Sequence, residues 1–215
     1  MRSAGVHVVS SFRNSCLLLL LMALAGQAFE GPPAALMGRW RSAETSKGGI
    51  GSLYSFRENG TVDFSPAALV EMQYRLDGGN LFLPAESNGP APGTKVKFVD
   101  ADHAQLSTEQ AGKISTQELT RKGSIQDPKN LILGEWTSPR KDLGAGIEST
   151  EIFYPTGKFL LIIPFTWVHG RWTVTGTAIQ MDLPNSKPVQ GPFAVEGDAL
   201  RLPLGTDGVS RFARY

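Results

Sequence analysis

Polar and apolar residues alternate one for one along much of this chain. Met72, Tyr74 and Leu76 stand against Gln73, Arg75 and Asp77, and Val96 and Phe98 against Lys95 and Lys97. A period of two is that of a strand with one buried face. Asn59-Gly60, Asp77-Gly78 and Thr156-Gly157 fall between such runs, where a tight hairpin needs positive φ. The pattern predicts short antiparallel strands joined as successive hairpins. It predicts no amphipathic helix.

The pattern also occurs twice. GRWRS (38–42) is followed by an alternating run from Leu53 to Arg57, a turn at Asn59-Gly60 and Val62 to Phe64. GEWTS (134–138) is followed by Glu151 to Tyr154, a turn at Thr156-Gly157 and Phe159 to Ile163. Next, YRLDGGNLFL (74–83) matches WTVTGTAIQM (172–181), KFVDADHAQL (97–106) matches PFAVEGDALRL (192–202), and LTRK (119–122) matches FARY (212–215). One duplicated unit of about 85 residues, with insertions confined to loops, explains the order. KGSIQDPKN (122–130) reads as the linker. The expected organisation is therefore a leader at 1–28, a first β domain at 29–121, the linker at 122–130 and a second β domain at 131–215.

The leader reading rests on an acid-free start carrying Arg2 and Arg13, followed by an apolar run from Cys16 to Ala25 that is too short to span a bilayer. Gly26-Gln27-Ala28 offers small residues for cleavage before Phe29, so a secreted or periplasmic chain is expected, with no integral membrane segment. The formal charge is +1 with 21 basic and 20 acidic residues. Loss of Arg2 and Arg13 turns it to −1, and no bulk field favours nucleic acid. Cys16 is the only cysteine, so the exported chain has no disulfide, thiolate nucleophile or cysteine metal site.

Gly-x-Trp on a first strand with an arginine near the end of the unit resembles the signature of lipocalins and the wider calycin group. Trp40 with Arg121, and Trp136 with Arg214, supply the pair within each unit. Each unit is also similar to the short lipocalin-like domains of bacterial secreted proteins of unknown role. The resemblance implies two tandem antiparallel up-and-down small barrels or half-open meanders, each plugged at its base by an indole under a guanidinium. Both units are much shorter than ligand-carrying lipocalins, and an eight-stranded barrel is just wide enough to be filled by side chains or to hold one small ligand. Tyr54, Phe56, Phe64, Tyr74 and Phe98 are expected to fill most of the interior.

Candidate binding residues lie on two apolar connections, SPAALVEM (65–72) and LIIPFTWVHG (161–170). Pro164 should end a strand, yet Phe165, Trp167 and Val168 continue the apolarity into an expected loop. Such loops serve as a lid, a partner surface or the seam between units. Leu69, Met72, Tyr74, Phe165, Trp167 and Trp172 are the candidate ligand-binding residues.

No catalytic or metal site is expected, and no cofactor. DADH (100–103) places His103 among acids, but EGD (196–198) keeps the acids without the histidine, so the acids are expected to serve the turn. His169 is expected to be solvated. No Gly-x-Ser-x-Gly elbow is present, and PTGKF (155–159) lacks the glycine and hydroxyl of a phosphate loop. The function these readings favour is a non-enzymatic exported binding protein for a small apolar ligand or a protein partner. The alternative is a structural or interaction module with solid cores, for envelope assembly or inhibition.

Overall fold

The computed structural model describes residues 33–83, 93–204 and 208–215, so the expected leader lies outside the described residues. After a single 3-10 turn at Ala34–Leu36 the chain is strands and turns: β1 (Gly38–Ser42), β2 (Ile50–Phe56), β3 (Thr61–Gln73), β4 (Arg75–Asp77), β5 (Asn80–Phe82), β6 (Thr94–Phe98), β7 (His103–Gln110), β8 (Lys113–Lys122) and β9 (Gly134–Pro139). There follow β10 (Glu148–Phe153), β11 (Lys158–Pro164), β12 (Val168–Thr175), β13 (Ala178–Asp182), β14 (Val189–Pro192), β15 (Ala194–Glu196), β16 (Ala199–Leu202) and β17 (Ser210–Arg214). The fold is all-β and every ladder is antiparallel. Burial alternates as the sequence predicts; inward Gly134, Trp136 and Ser138 are buried while their neighbours are partly exposed.

The two units do not fold separately. β3 is a continuous strand of 13 residues, and its two halves face different partners. Thr61–Phe64 pairs with β12, whereas Ala67–Gln73 pairs with β11. One roll, roll I, therefore runs from β1 and β2 through the first half of β3 to β12, β13 and β14, then returns through β15, β16 and β17 to β1. The other, roll II, runs from β9, β10 and β11 to the second half of β3, continues as β4, β5, β6, β7 and β8, and returns to β9. Each roll takes its first three strands from one unit and the rest from the other. The expected boundary at 122–130 thus divides two stretches of sequence and not two compact bodies.

Neither roll is a regular closed barrel. Each circuit of ladders is interrupted where a strand bends, at Tyr74 between β3 and β4 and at Phe193 between β14 and β15. The bends stay bonded: Tyr74 donates its N–H to the Gly157 carbonyl at 2.7 Å and Phe193 to that of Thr177 at 3.2 Å.

The exchange corrects the reading of 65–72 and 161–170 as loops. Residues 65–72 continue β3, and β11 ends at Pro164 before β12 begins at Val168. Pro66 is tolerated inside β3 because its backbone faces the gap between β11 and β12. Its carbonyl accepts from Phe165 N at 2.9 Å there, and a residue's N–H and C=O point to the same side of a strand, so the missing donor removes no bond from the β2 ladder.

The exchange also moves the plugs. Arg214 lies 4.2 Å over the Trp40 ring and Arg121 lies 4.1 Å over that of Trp136. Each cation is therefore supplied by the opposite unit from the one expected, because β17 pairs with β1 and β8 with β9. Both indoles are fully buried. Trp40 Nε1 donates to the Leu36 carbonyl and Trp136 Nε1 to that of Ile132, each at 2.8 Å. The glycine of each motif is required by its backbone, φ being +112° at Gly38 and +114° at Gly134. A Cβ on Gly38 would come within 2.7 Å of Arg214 Nη1.

Three cores result. Trp40, Tyr54, Phe56, Trp172 and Phe212 fill roll I, and Leu81, Leu119, Trp136, Phe153 and Phe159 fill one end of roll II. Leu53, Leu69, Ile152, Leu160 and Ile162 form a third cluster, on the strands around the β3–β11 contact. Burial of these side chains stabilises the folded chain by roughly 1.5–3 kcal/mol each.

Candidate functional site

Inward positions of the two rolls can be matched through their ladders. Trp40 faces Tyr54 and Tyr54 faces Phe64; Trp136 faces Glu151 and Glu151 faces Leu161. Phe212 and Leu119 stand two residues before the plugging arginines. Roll I thus has aromatic rings at three places where roll II has Glu151, Leu161 and Leu119. In roll I the rings pack together, Tyr54 lying 5.1 Å from Phe64 and 5.3 Å from Phe212. Two of the three replacements, Glu151 and Leu161, line a hollow in roll II, while Leu119 is packed in its core.

The hollow has a volume of about 690 Å³. That is within the range of about 300–1,000 Å³ usual for a small-molecule site. Its apolar lining comes from Met72, Leu81, Leu83, Leu106, Phe159 and Leu161. Polar side chains are interleaved with these across the ladders, Glu151 beside Leu161 and Gln117 beside Leu106, with Thr94, Thr108, Ser115, Thr116, Glu118, Arg140, Lys141 and Asp142 completing the lining.

Glu151 is 4% exposed. The Gln117 side-chain amide donates to its Oε1, and the single Ser149 hydroxyl hydrogen is shared between that oxygen and the Ser138 carbonyl, each at 3.4 Å. Burial pushes the carboxyl above the ordinary glutamate range, against the opposing pull of the Gln117 and Ser149 donors and the Arg140 guanidinium. Arg140 is itself held by Asp142, with nitrogen–oxygen distances of 2.9 and 2.6 Å. Ser138 Oγ, on the neighbouring strand, is buried with no hydrogen-bond partner among the described residues.

The six residues predicted for binding are not brought together. Met72 lines the hollow of roll II, and Tyr74 packs against the same core with its hydroxyl donating to the Tyr154 carbonyl at 3.1 Å. Leu69 is buried in the third cluster. Trp172 is in the core of roll I, its Nε1 donating to the Thr61 carbonyl at 3.0 Å. Phe165 and Trp167, 48% and 44% exposed, lie on the crossing between β11 and β12. Glu151 was missed because it reads as one more polar residue in an alternating run. Aligning YSF (54–56) with EIF (151–153) reveals it as an acid where the other unit has an inward tyrosine.

A second, open groove of about 630 Å³ lies on roll I. There the buried Asp63 carboxylate accepts from His169 Nδ1 at 2.6 Å and from the Arg57 guanidinium. The His169 side chain is exposed, as expected, yet it is also paired. At the DADH turn Asp100 Oδ1 accepts from the backbone N–H groups of Asp102 and His103, both at 2.8 Å, and these bonds together with the His103 ring hold its carboxyl below the usual range. The acid there shapes the turn. Among the described residues no group of three or more His, Cys, Asp or Glu side chains is placed to hold a metal ion.

Fold and site together define an all-β meander protein with one packed roll and one hollow roll. No family model, curated protein or solved structure matches the chain.

Proposed function

We propose that this chain is an exported, non-enzymatic binding protein of lipocalin-like type, built by duplication, which holds a small amphiphilic molecule in roll II. The observation that carries the reading is the asymmetry of the rolls: Tyr54, Phe64 and Phe212 close the interior of roll I, and roll II, with Glu151 and Leu161 in place of two of them, has a hollow of about 690 Å³. A cavity whose lining combines apolar side chains with a few polar ones and a buried carboxyl favours a ligand with a tail and a head. The paired indole plugs and guanidinium caps support the kinship. Titration with an environment-sensitive dye tests the site. Leu161→Trp, which restores an aromatic at the place of Phe64, is expected to abolish dye binding without lowering the melting temperature; unchanged binding refutes the site.

The alternative, an interaction module whose surface is the working part, is favoured by Phe165 and Trp167, whose large apolar side chains stand out at the crossing. Under that reading Trp167→Ala loses a protein partner in native mass spectrometry and Leu161→Trp does not.

A further inference from the structure

Among the described residues Glu151 makes no salt bridge, and Arg140, whose charge reaches it, is bonded to Asp142. Oε1 takes two donors, but Oε2 accepts no hydrogen bond from the described residues, and no ion pair reaches either oxygen. The charged groups around it are Glu118 on β8 and Arg140, Lys141 and Asp142 after β9. Arg140 is already paired with Asp142, while β3 and β11 present Met72, Phe159 and Leu161 to the cavity. Burial of the Glu151 side chain disfavours its charge, and a cation that brings its own donors to Oε2 offsets that penalty. The Gln117 amide holds one oxygen in place, which leaves the other for such a donor.

From this, and resting on roll II being the ligand site, we infer that the ligand head is a primary ammonium held by Glu151, with the alkyl tail against Met72, Leu106, Phe159 and Leu161. The ammonium gives one N–H to Oε2 as a charge-assisted bond. Thr108 and Ser115, whose hydroxyls are in the lining, offer acceptors for the remaining hydrogens. Binding fixes Glu151 as the anion. Burial raises its affinity for a proton, so protons compete with the ammonium for Glu151 and binding weakens as pH falls.

Isothermal titration of the protein with n-octylamine, n-octanol and octanoate, which share a tail scale and differ at the head, tests this. At pH 8 octylamine is expected to bind roughly tenfold more tightly than octanol, and octanoate more weakly than either. Glu151→Gln is expected to keep octanol binding and lose the preference for the amine; Glu151→Asp, which keeps the charge, should retain part of it. Equal affinity for amine and alcohol, or a preference that survives in Glu151→Gln, overturns the assignment. Tightest binding of octanoate, strengthening toward acid pH, overturns it in favour of an acceptor head on protonated Glu151. If octylamine and octanol both fail to bind, roll II as a ligand site falls as well; if octanol alone binds, only the amine assignment does.

Discussion

Arg39 and Glu135, the middle residues of the two Gly-x-Trp triplets, form a two-pronged ion pair, Nη1 to Oε1 at 2.7 Å and Nη2 to Oε2 at 2.5 Å. β1 and β9 belong to different rolls, so the position that varies between the motifs is where the rolls meet. The Arg39 guanidinium also lies 4.8 Å over the Tyr215 ring, whose burial pushes that phenol up to about 12. The bond to Glu135 raises the Arg39 pKa further above its usual value.

The Arg39 side chain is 40% exposed, so solvent screens the pair and its coupling is modest. A double-mutant cycle with Arg39→Ala and Glu135→Ala, read by urea unfolding, is expected to give about 0.5–1 kcal/mol. A coupling above about 3 kcal/mol would show that the contact excludes water more fully than its exposure indicates.

The two plugging arginines should differ in cost. Arg121 has a fully buried side chain and donates to the carbonyls of Ala101, Leu133 and Leu131; Arg214 is 32% exposed and donates to those of Met37 and Ala35. Arg121→Ala strands more buried acceptors and is expected to destabilise by about 3–4 kcal/mol, Arg214→Ala by roughly half that. Urea denaturation of both variants checks the order, and the reverse order would contradict it.

Strand exchange can be trapped covalently. Gln73 and Lys158 are direct partners on β3 and β11 although they belong to different units. Cysteines at both positions lie close enough for a disulfide, so oxidation of the monomer should give an intramolecular cross-link, seen by non-reducing mass mapping. Units folded as separate hairpins would leave these thiols free.

Glu151 makes stability depend on pH. Its folded-state pKa is raised by burial, so the native state holds the proton more tightly than the unfolded chain. That contribution is complete below the ordinary glutamate pKa of about 4.5 and is lost as pH rises through the raised value. Unfolding free energies measured from pH 4.5 to 8 should therefore fall for the native chain by more than for Glu151→Gln. Parallel curves would mean the carboxyl is solvated in the folded state.

Much of this architecture is legible in the residues. The one-for-one alternation of 72–77 and 95–98 marks strands, Asn59-Gly60 and Thr156-Gly157 mark their turns, and the Gly-x-Trp and closing-arginine positions mark the plugs. The partner of each plug is not legible, because Arg121 and Arg214 are chemically interchangeable over Trp40 and Trp136. Of the six candidates, Met72 and Tyr74 are in roll II and the other four are elsewhere. Glu151 escapes because alternation alone does not say which face of β10 will be enclosed.

The amino-acid sequence by itself determined the all-β class, the hairpin order and the residues able to stopper a roll, since these depend on local periodicity, turn chemistry and side-chain type. Only the tertiary structure decided that β3 would run straight past Pro66, exchange the halves of the two units and leave one interior packed and the other hollow. Two similar sets of strands offer the same ladders within a unit or across units, so pairing is settled by the long strand β3 and the cluster packed around its contact with β11, which no single stretch of sequence contains.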